Sequence, residues 1–594
     1  MEASELFQIC AELAMTDPSG PAIRQMHELL VLASAEGCRQ QGGTFGNLFS
    51  QIDWVCKQLR VSRAETQAIQ TARRHSNQSE PLAADDWLYD LRAVARYISR
   101  VFVVDVPGSL LRLLPANGKP QSEHLKVNKL YIRCIVRSFD DHVIVADADE
   151  GELHIDYANT EDGRDFGYLK KVLREGMQLN LLDCHVDAQV ITPQVIVVEP
   201  DFLLDISSLA ACFTAYGHHP LLYTVNRLKP QSNTQATLLG NFAGTALDDV
   251  IHHPDVTLQQ SLQRSYREQA DRIRACEDFD QEKFEQAAAQ QMQNIREAVS
   301  LLSPKQALLE PSFICERLGL QGRVDLMTAD MQLLVEQKSG KNMKIEYQSH
   351  DAHGMQLENH YVQLLLYYGI LRYNFGKSDR QVDTRLLYSR YPAAKGLVVV
   401  NYYRTLFREA IRLRNQIVAT ELLIARDGFG RILPLLNADI IYKGVPQDGF
   451  FHRFVAPSLQ TLNSQLSSLS ALERAYFERM MTFVYREQQC QKLGVVEGQG
   501  GATSDLWQMP LSEKRETGNI YTDLTVVDRQ RSCDDGGFDV ITLQFLVKPF
   551  MPPSTSVWAI WSIFISTRRS PMCERAFSIR VCCRTSRMVC WLSS

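Results

Sequence analysis

The chain has 594 residues, a length that accommodates roughly four domains. Hydrophobic residues make up 45% and charged residues 22%, the balance of a soluble globular protein with ample core. The formal net charge of −6 argues against a wholly basic nucleic-acid coat, and no apolar run is long enough to span a bilayer.

Residues 1–115 are helical in pattern, as in LFQICAELAM, FGNLFSQIDWVCKQL and DWLYDLRAVARYISRVF, and carry no nameable chemistry. Asn117–Ser122 reads as a polar linker. Residues 123–205 alternate apolar and polar positions between turn signals, in KLYIRCIVRSFDDHVIVADADEGELHIDYA, NLLDCHV and QVIVVEP. That pattern predicts a small β-barrel-like domain, with an OB-type barrel as one form of closure. Such a barrel can hold single strands or be purely structural.

Residues 206–425 carry the chemistry. GNFAGTALDDVIHH places Asp248, Asp249, His252 and His253 at an expected helix start, and a long polar helix is expected over Thr257–Leu302. In GLQGRVDLMTADMQLLVEQKSGK, Asp325 closes an apolar strand, Thr328-Ala329-Asp330 turns, and Met331–Lys338 returns. Strand alternation puts Glu336 and Lys338 on one face and Gln337 on the other. The hairpin can bring Asp325 beside them. Two carboxylates and an ammonium suit a hard divalent cation and an attacking water. In phosphodiester cleavage Asp325 and Glu336 would hold Mg²⁺ or Mn²⁺, with the backbone carbonyl of Gln337 as a third ligand. Lys338 would orient the water and meet the charge of the transition state. The plainer alternative is a surface hairpin with one solvated ion pair.

An amphipathic helix is expected over Ala352–Phe375, with a polar stripe of His353, Gln356, His360, Gln363 and Tyr367 at steps of three or four. Gln363 and Tyr367, one turn apart, can reach the same scissile-strand phosphate. Strands RLLYS and GLVVV would complete the sheet. From Arg372 to Arg414 ten Lys and Arg residues face only Asp379, Asp383 and Glu409, interleaved with Tyr373, Tyr388, Tyr391, Tyr402 and Tyr403. Basic residues track phosphates and aromatics stack bases, so this stretch is expected to contact single-stranded DNA, with Arg404, Arg408 and Arg412 as the contacts.

The order GT-x-x-D…E…GxxD…ExK…QxxxY resembles the RecB-like branch of the PD-(D/E)xK nuclease superfamily. It is most similar to the nuclease module that bacteria fuse to a superfamily 1 helicase of end-resection or replication type. The matching residues are Gly244, Thr245, Asp248, Glu310, Gly322, Asp325, Glu336, Lys338, Gln363 and Tyr367. PDFLLDISSLAACF and LERAYFERMMTFVYREQQCQKLG resemble flanking segments of the same fusion. The resemblance implies a multidomain α+β chain with a restriction-endonuclease-like α/β core. It implies a metal-dependent DNA nuclease on single strands or ends, in DNA repair or replication, with Asp248, Asp325, Glu336 and Gln337 on Mg²⁺ or Mn²⁺ and Lys338, Gln363 and Tyr367 as catalytic groups. The alternative is a catalytically silent DNA-binding or scaffold module of a helicase.

The chain departs from that family twice. Asp248 stands where these nucleases usually have histidine, with His252 as a rival one helical turn on. Relatives in the resection branch often hold an iron–sulfur cluster on one cysteine before the core and three after it. Here Cys212 precedes the core and no cysteine lies between Cys315 and Cys490, so no cluster is expected. The cysteines lack CxxC pairs and read as reduced thiols; with no signal peptide, a bacterial cytoplasmic location is expected.

Residues 426–494 are expected to form a helical connector and 495–551 the start of a β-rich domain. The last residues, 552–594, differ in composition: from Pro553 on there is no Lys or Asp, one acid (Glu574) and nine serines. Shifted to the third base, Trp558-Ala559 reads GGC, glycine, so this tail is expected to be frameshifted, ending the chain before a helicase motor. No GxxxxGK[ST] occurs, and SGKN at 339–342 lacks the leading glycine, so no ATP site is expected.

Overall fold

The computed structural model describes residues 2–41, 48–76, 82–119, 130–148, 151–158, 165–187, 190–229, 233–349, 354–445, 447–494 and 502–508, with four strands beyond them at 524–530, 539–545, 564–567 and 578–583. The fold is mixed α+β, with a helical N-terminus and a curled sheet. It divides into two compact units, Met1–Glu123 with Gln488–Ser594, and His124–Glu487. Among the described residues no helix is long and apolar enough to cross a membrane.

In the first unit, α1 (Ala3–Ala14), α2 (Gly20–Gln41), α3 (Leu48–Gln58), α4 (Arg63–Ser76), α5 (Ala84–Phe102) and the short α6 (Gly108–Leu111) surround a core that includes Leu6, Met26, Leu30, Trp87, Val94 and Ile98. The buried Trp87 indole donates to the carbonyls of Leu13 and Thr16 at 3.2 and 3.1 Å, tying α5 to the end of α1. The four strands beyond residue 523 pair into one sheet. The rest of the segment expected to start a β-rich domain, and of the tail at 552–594, lies outside the described residues.

The second unit opens with β1 (Tyr131–Phe139), β2 (Val143–Ala148), β3 (Gly151–Asp156), β4 (Gln178–Leu182), β5 (His185–Asp187), β6 (Val190–Thr192) and β7 (Val195–Val198). They form one sheet in the order β5-β6-β3-β2-β1-β4-β7. Inward positions such as Ile132, Cys134, Val136, Ile144, Leu179 and Ile196 alternate along the strands into one core. Among the described residues β5 and β7 are the outer strands of this curled sheet, with no pairing between them.

Next come β8 (Leu204–Asp205), α7 (Ile206–Ala210), the hairpin β9 (Phe213–Thr214) and β10 (Gly217–His218), α8 (Leu221–Leu228), α9 (Gln235–His252), α10 (Leu258–Glu268), α11 (Ala270–Arg274) and α12 (Gln281–Leu302). The single helix expected over Thr257–Leu302 is three. A Thr257/Gln260 capping box starts α10, and Asp280 caps a fresh start at α12. Then follow β11 (Ala307–Leu309), β12 (Ser312–Cys315), β13 (Leu320–Arg323), β14 (Leu326–Thr328), β15 (Leu333–Lys338), α13 (Met343–Glu346), α14 (Glu358–Phe375), β16 (Asp383–Tyr388), α15 (Ala393–Gly396), β17 (Leu397–Val399) and α16 (Arg404–Asp427). A five-stranded sheet, β11-β14-β15-β16-β17, is mixed: β15 and β16 run parallel, joined through α14, and the other pairs are antiparallel. A small sheet, β12-β13-β8, lies beside it in the chain path.

Helix α16 fastens the curled sheet to this core through a wholly buried arginine. Arg414 donates to the carbonyls of Gly319 (3.3 Å), Glu199 (2.8 Å), Phe202 (2.8 Å) and Val198. Asn415 beside it takes the amide of Val198 at 3.0 Å and donates to Ile196 at 2.7 Å, which occupies edge strand β7. Gly319, at φ +63, is required here. A Cβ would stand 2.3 Å from the Arg414 guanidinium.

Candidate active site

Asp325 sits at the break between β13 and β14, where the chain leaves the three-stranded sheet for the five-stranded one. Its Oδ2 accepts the backbone amide of Gln337 at 2.6 Å, which ties it to the end of β15. Glu336 and Lys338 share one face of β15, and Nζ donates to Glu336 Oε1 at 2.8 Å. The same oxygen takes Gln363 Nε2 from α14 at 2.7 Å. Glu336 Oε2 is buried with no hydrogen-bond partner among the described residues. The Gln337 side chain leaves by the opposite face and donates to the carbonyl of Ala243 on α9 at 3.0 Å.

The electrostatics follow from this packing. Burial, then the neighbouring Asp325 charge, pushes the Glu336 carboxyl up to about 8, with Lys338 opposing. Burial also raises Asp325, with Lys338 pulling it back. Two adjacent carboxyls away from water resist ionising together, and one ammonium balances only one of them. The His360 imidazole is held down to about 3 by burial and by Lys338, so it is neutral at ordinary pH.

Helix α14 is shorter than the helix expected over Ala352–Phe375. It begins at Glu358, so Gln356 precedes it, and His353 lies outside the described residues. From Tyr361 to Leu371 every side is buried, because the helix is enclosed by neighbouring elements rather than lying on the surface. Gln363 is consumed by Glu336 and by Ser207 Oγ at 3.1 Å. Tyr367 is 1% exposed, and its hydroxyl donates to the carbonyl of Arg323 at 2.7 Å rather than facing a substrate. Gly322 makes room for it: a Cβ there would meet the Tyr367 ring at 2.9 Å.

Asp248 and Asp249 lie near the C-terminal end of α9, not at a helix start. Both are buried. Asp249 is held by Ser261 (2.8 Å) and Arg264 (2.7 Å), while His252 and His253 are exposed. Among the described residues no group of three or more His, Cys, Asp or Glu side chains is placed to hold a metal ion.

The basic stretch is more structural than its sequence reads. Arg414 is buried, and Tyr373 and Tyr388 are core residues. Arg412 pairs with Asp165 at 2.9 Å and lies over the Tyr168 ring, and Arg408 bonds Gln194. Arg404 is exposed at the start of α16. Ser207, at the head of α7, belongs to the site and escaped the sequence reading. Its segment, PDFLLDISSLAACF, stood out only as a flank, and no spacing rule links it to Gln363, 156 positions away. No family model, curated protein or solved structure matches the chain.

Proposed function

We propose that this chain is a divalent-metal-dependent deoxyribonuclease, with a restriction-endonuclease-like core that cleaves phosphodiester bonds on single strands or DNA ends. One observation carries the reading: Asp325, Glu336, Lys338 and Gln363 converge at the end of β15, with Glu336 Oε2 buried and unpartnered among the described residues. The donor set is all oxygen, and an excess of one buried carboxylate over the ammonium fits a hard cation. Mg²⁺ or Mn²⁺ held by Asp325 and Glu336, with the Gln337 carbonyl and Asp248 as further candidates, would supply Lewis-acid polarisation and an activated water.

The chain's own groups do the rest. Gln363 fixes the Glu336 carboxylate by a buried hydrogen bond from its side-chain amide, and Tyr367 fixes the backbone at Arg323, two residues before Asp325. Lys338 is 23% exposed at its side chain, enough to turn from Glu336 toward a phosphate oxygen as negative charge builds there. Arg404, and less directly Arg408 and Arg412, would track the DNA backbone. A role in repair or replication beside a fused or associated helicase motor, in a bacterial cytoplasm, belongs to the same proposal and rests on the family resemblance.

A second reading has its own observation. The Lys338 ammonium already sits on Glu336, as in a closed ion pair, which favours a silent DNA-binding or scaffold module. Incubating the chain with 5′-, 3′- and blunt-ended DNA in Mg²⁺, Mn²⁺ or EDTA separates the two. Metal-dependent product is expected, and binding without product under every condition would move the assignment to the silent module.

A further inference from the structure

We propose that Ser207 touches the substrate: its hydroxyl accepts from Gln363 and donates to a non-bridging phosphate oxygen of the bound strand. This rests on the reading of the site as one that receives a phosphodiester backbone. The Gln363 amide nitrogen carries two hydrogens and spends one on Glu336 Oε1 (2.7 Å) and one on Ser207 Oγ (3.1 Å). At that contact Ser207 is therefore the acceptor, and its own O–H, which has the Tyr367 hydroxyl oxygen within reach, must turn from it to meet a phosphate. Gln363 is buried while Ser207 is exposed, so Ser207 is the outer end of a relay that begins at the catalytic carboxylate.

Its position is fixed from both sides. Strand β8 pairs in parallel with β13, Leu320 opposite Leu204 and Gln321 opposite Asp205, which sets α7 against the strand leading to Asp325. Asp205 then caps α7, accepting from the Ser208 amide at 2.9 Å and the Ser208 hydroxyl at 3.1 Å. The two adjacent serines thus differ: the Ser208 hydroxyl is committed to Asp205, and that of Ser207 lies against Gln363 and Tyr367. A neutral hydroxyl suits a phosphate oxygen beside two carboxylates, since it donates without adding charge.

The test uses the full chain with Ser207→Ala, Ser207→Thr and Ser208→Ala. Affinity for a fluorescent single-stranded oligonucleotide is read in EDTA, and kcat and KM in Mn²⁺. Ser207→Ala should weaken binding about tenfold and raise KM to match, the scale of a hydrogen bond to a charged group. Ser207→Thr should return to within about threefold of the parent, and Ser208→Ala should leave affinity unchanged. A loss in kcat alone, with affinity intact, would make Ser207 only a support for Gln363 and overturn the contact, as would a parent chain that binds no DNA. If the affinity loss appears while the parent yields no product in any metal, the contact stands and the nuclease reading falls.

Discussion

Lys338 and Glu336 are paired through a single oxygen, Nζ 2.8 Å from Oε1, while the partner oxygen Oε2 is buried and unbonded among the described residues. Asp325 adds a second negative charge beside Glu336. The site is thus short of positive charge by one unit when both carboxyls are ionised. Either a proton or a cation must make up the difference, and the chemistry depends on which does.

If a divalent cation does so, removing either carboxylate should abolish cutting. Asp325→Ala and Glu336→Ala are expected to give no product in Mg²⁺ or Mn²⁺ while DNA affinity stays near that of the parent. Folding should survive, since each change also relieves repulsion between two buried acids. Gel assays of end-labelled DNA and thermal melts check both halves, and full activity in either variant would remove these residues from the site.

Lys338→Ala should slow cleavage by orders of magnitude with little change in DNA affinity. An ammonium placed where transition-state charge develops acts on rate more than on ground-state binding. Single-turnover kinetics beside a binding titration make the comparison. Equal losses in rate and affinity would make Lys338 a plain phosphate anchor.

The alternation that puts Glu336 and Lys338 on one face was readable because strand periodicity is local. Spacing likewise paired Gln363 with Tyr367. Other features needed the fold. Asp325 stands at a crossover between two sheets, and sheet membership is decided by partners far away in sequence. The stripe on α14 read as one polar face because spacing reports which residues share a face, not what covers that face. Arg414 counted as one more surface charge until the carbonyls of Val198, Glu199, Phe202 and Gly319 enclosed it. Ser207 had no local signature at all.

Glu336 also sets a pH dependence. In the unfolded chain its carboxyl ionises at the ordinary 4.5, and in the folded, metal-free chain at about 8. Between those values the folded state holds a proton that the unfolded state has lost, so this contribution to stability declines as pH rises and levels off above about 8. The wild type should therefore lose Tm relative to Glu336→Gln between pH 5 and 8 in EDTA. Mn²⁺ must displace the same proton, so its affinity should tighten by up to about tenfold per pH unit over that range. A flat Tm difference together with pH-independent Mn²⁺ binding would show that Glu336 is ionised throughout.

Asp248 and His252 compete for the first motif. Asp248 is buried on α9 and His252 is exposed one turn later. Asp248→Asn should cut metal-dependent cleavage severely and His252→Ala only mildly. If Asp248 completes the ion's coordination, its loss should appear mainly as a raised Mn²⁺ requirement. The reverse ranking would shift the motif by one helical turn.

The arginines of α16 should separate by what already holds them. Arg404 is exposed, so Arg404→Ala should weaken single-strand binding and lower the slope of log affinity against log salt by about 0.7, one phosphate contact. Arg408 and Arg412 are engaged by Gln194 and by Asp165 with Tyr168, so DNA must draw them from those partners. Their alanine variants should change the slope less than Arg404→Ala does. Arg414→Met should leave the slope alone and destabilise the chain by about 3 kcal/mol or more, because buried carbonyls lose a charged donor. Salt titrations and denaturant melts on the four variants give the ranking. A full unit-contact loss at Arg412 with none at Arg404 would place the strand against the curled sheet rather than at the head of α16.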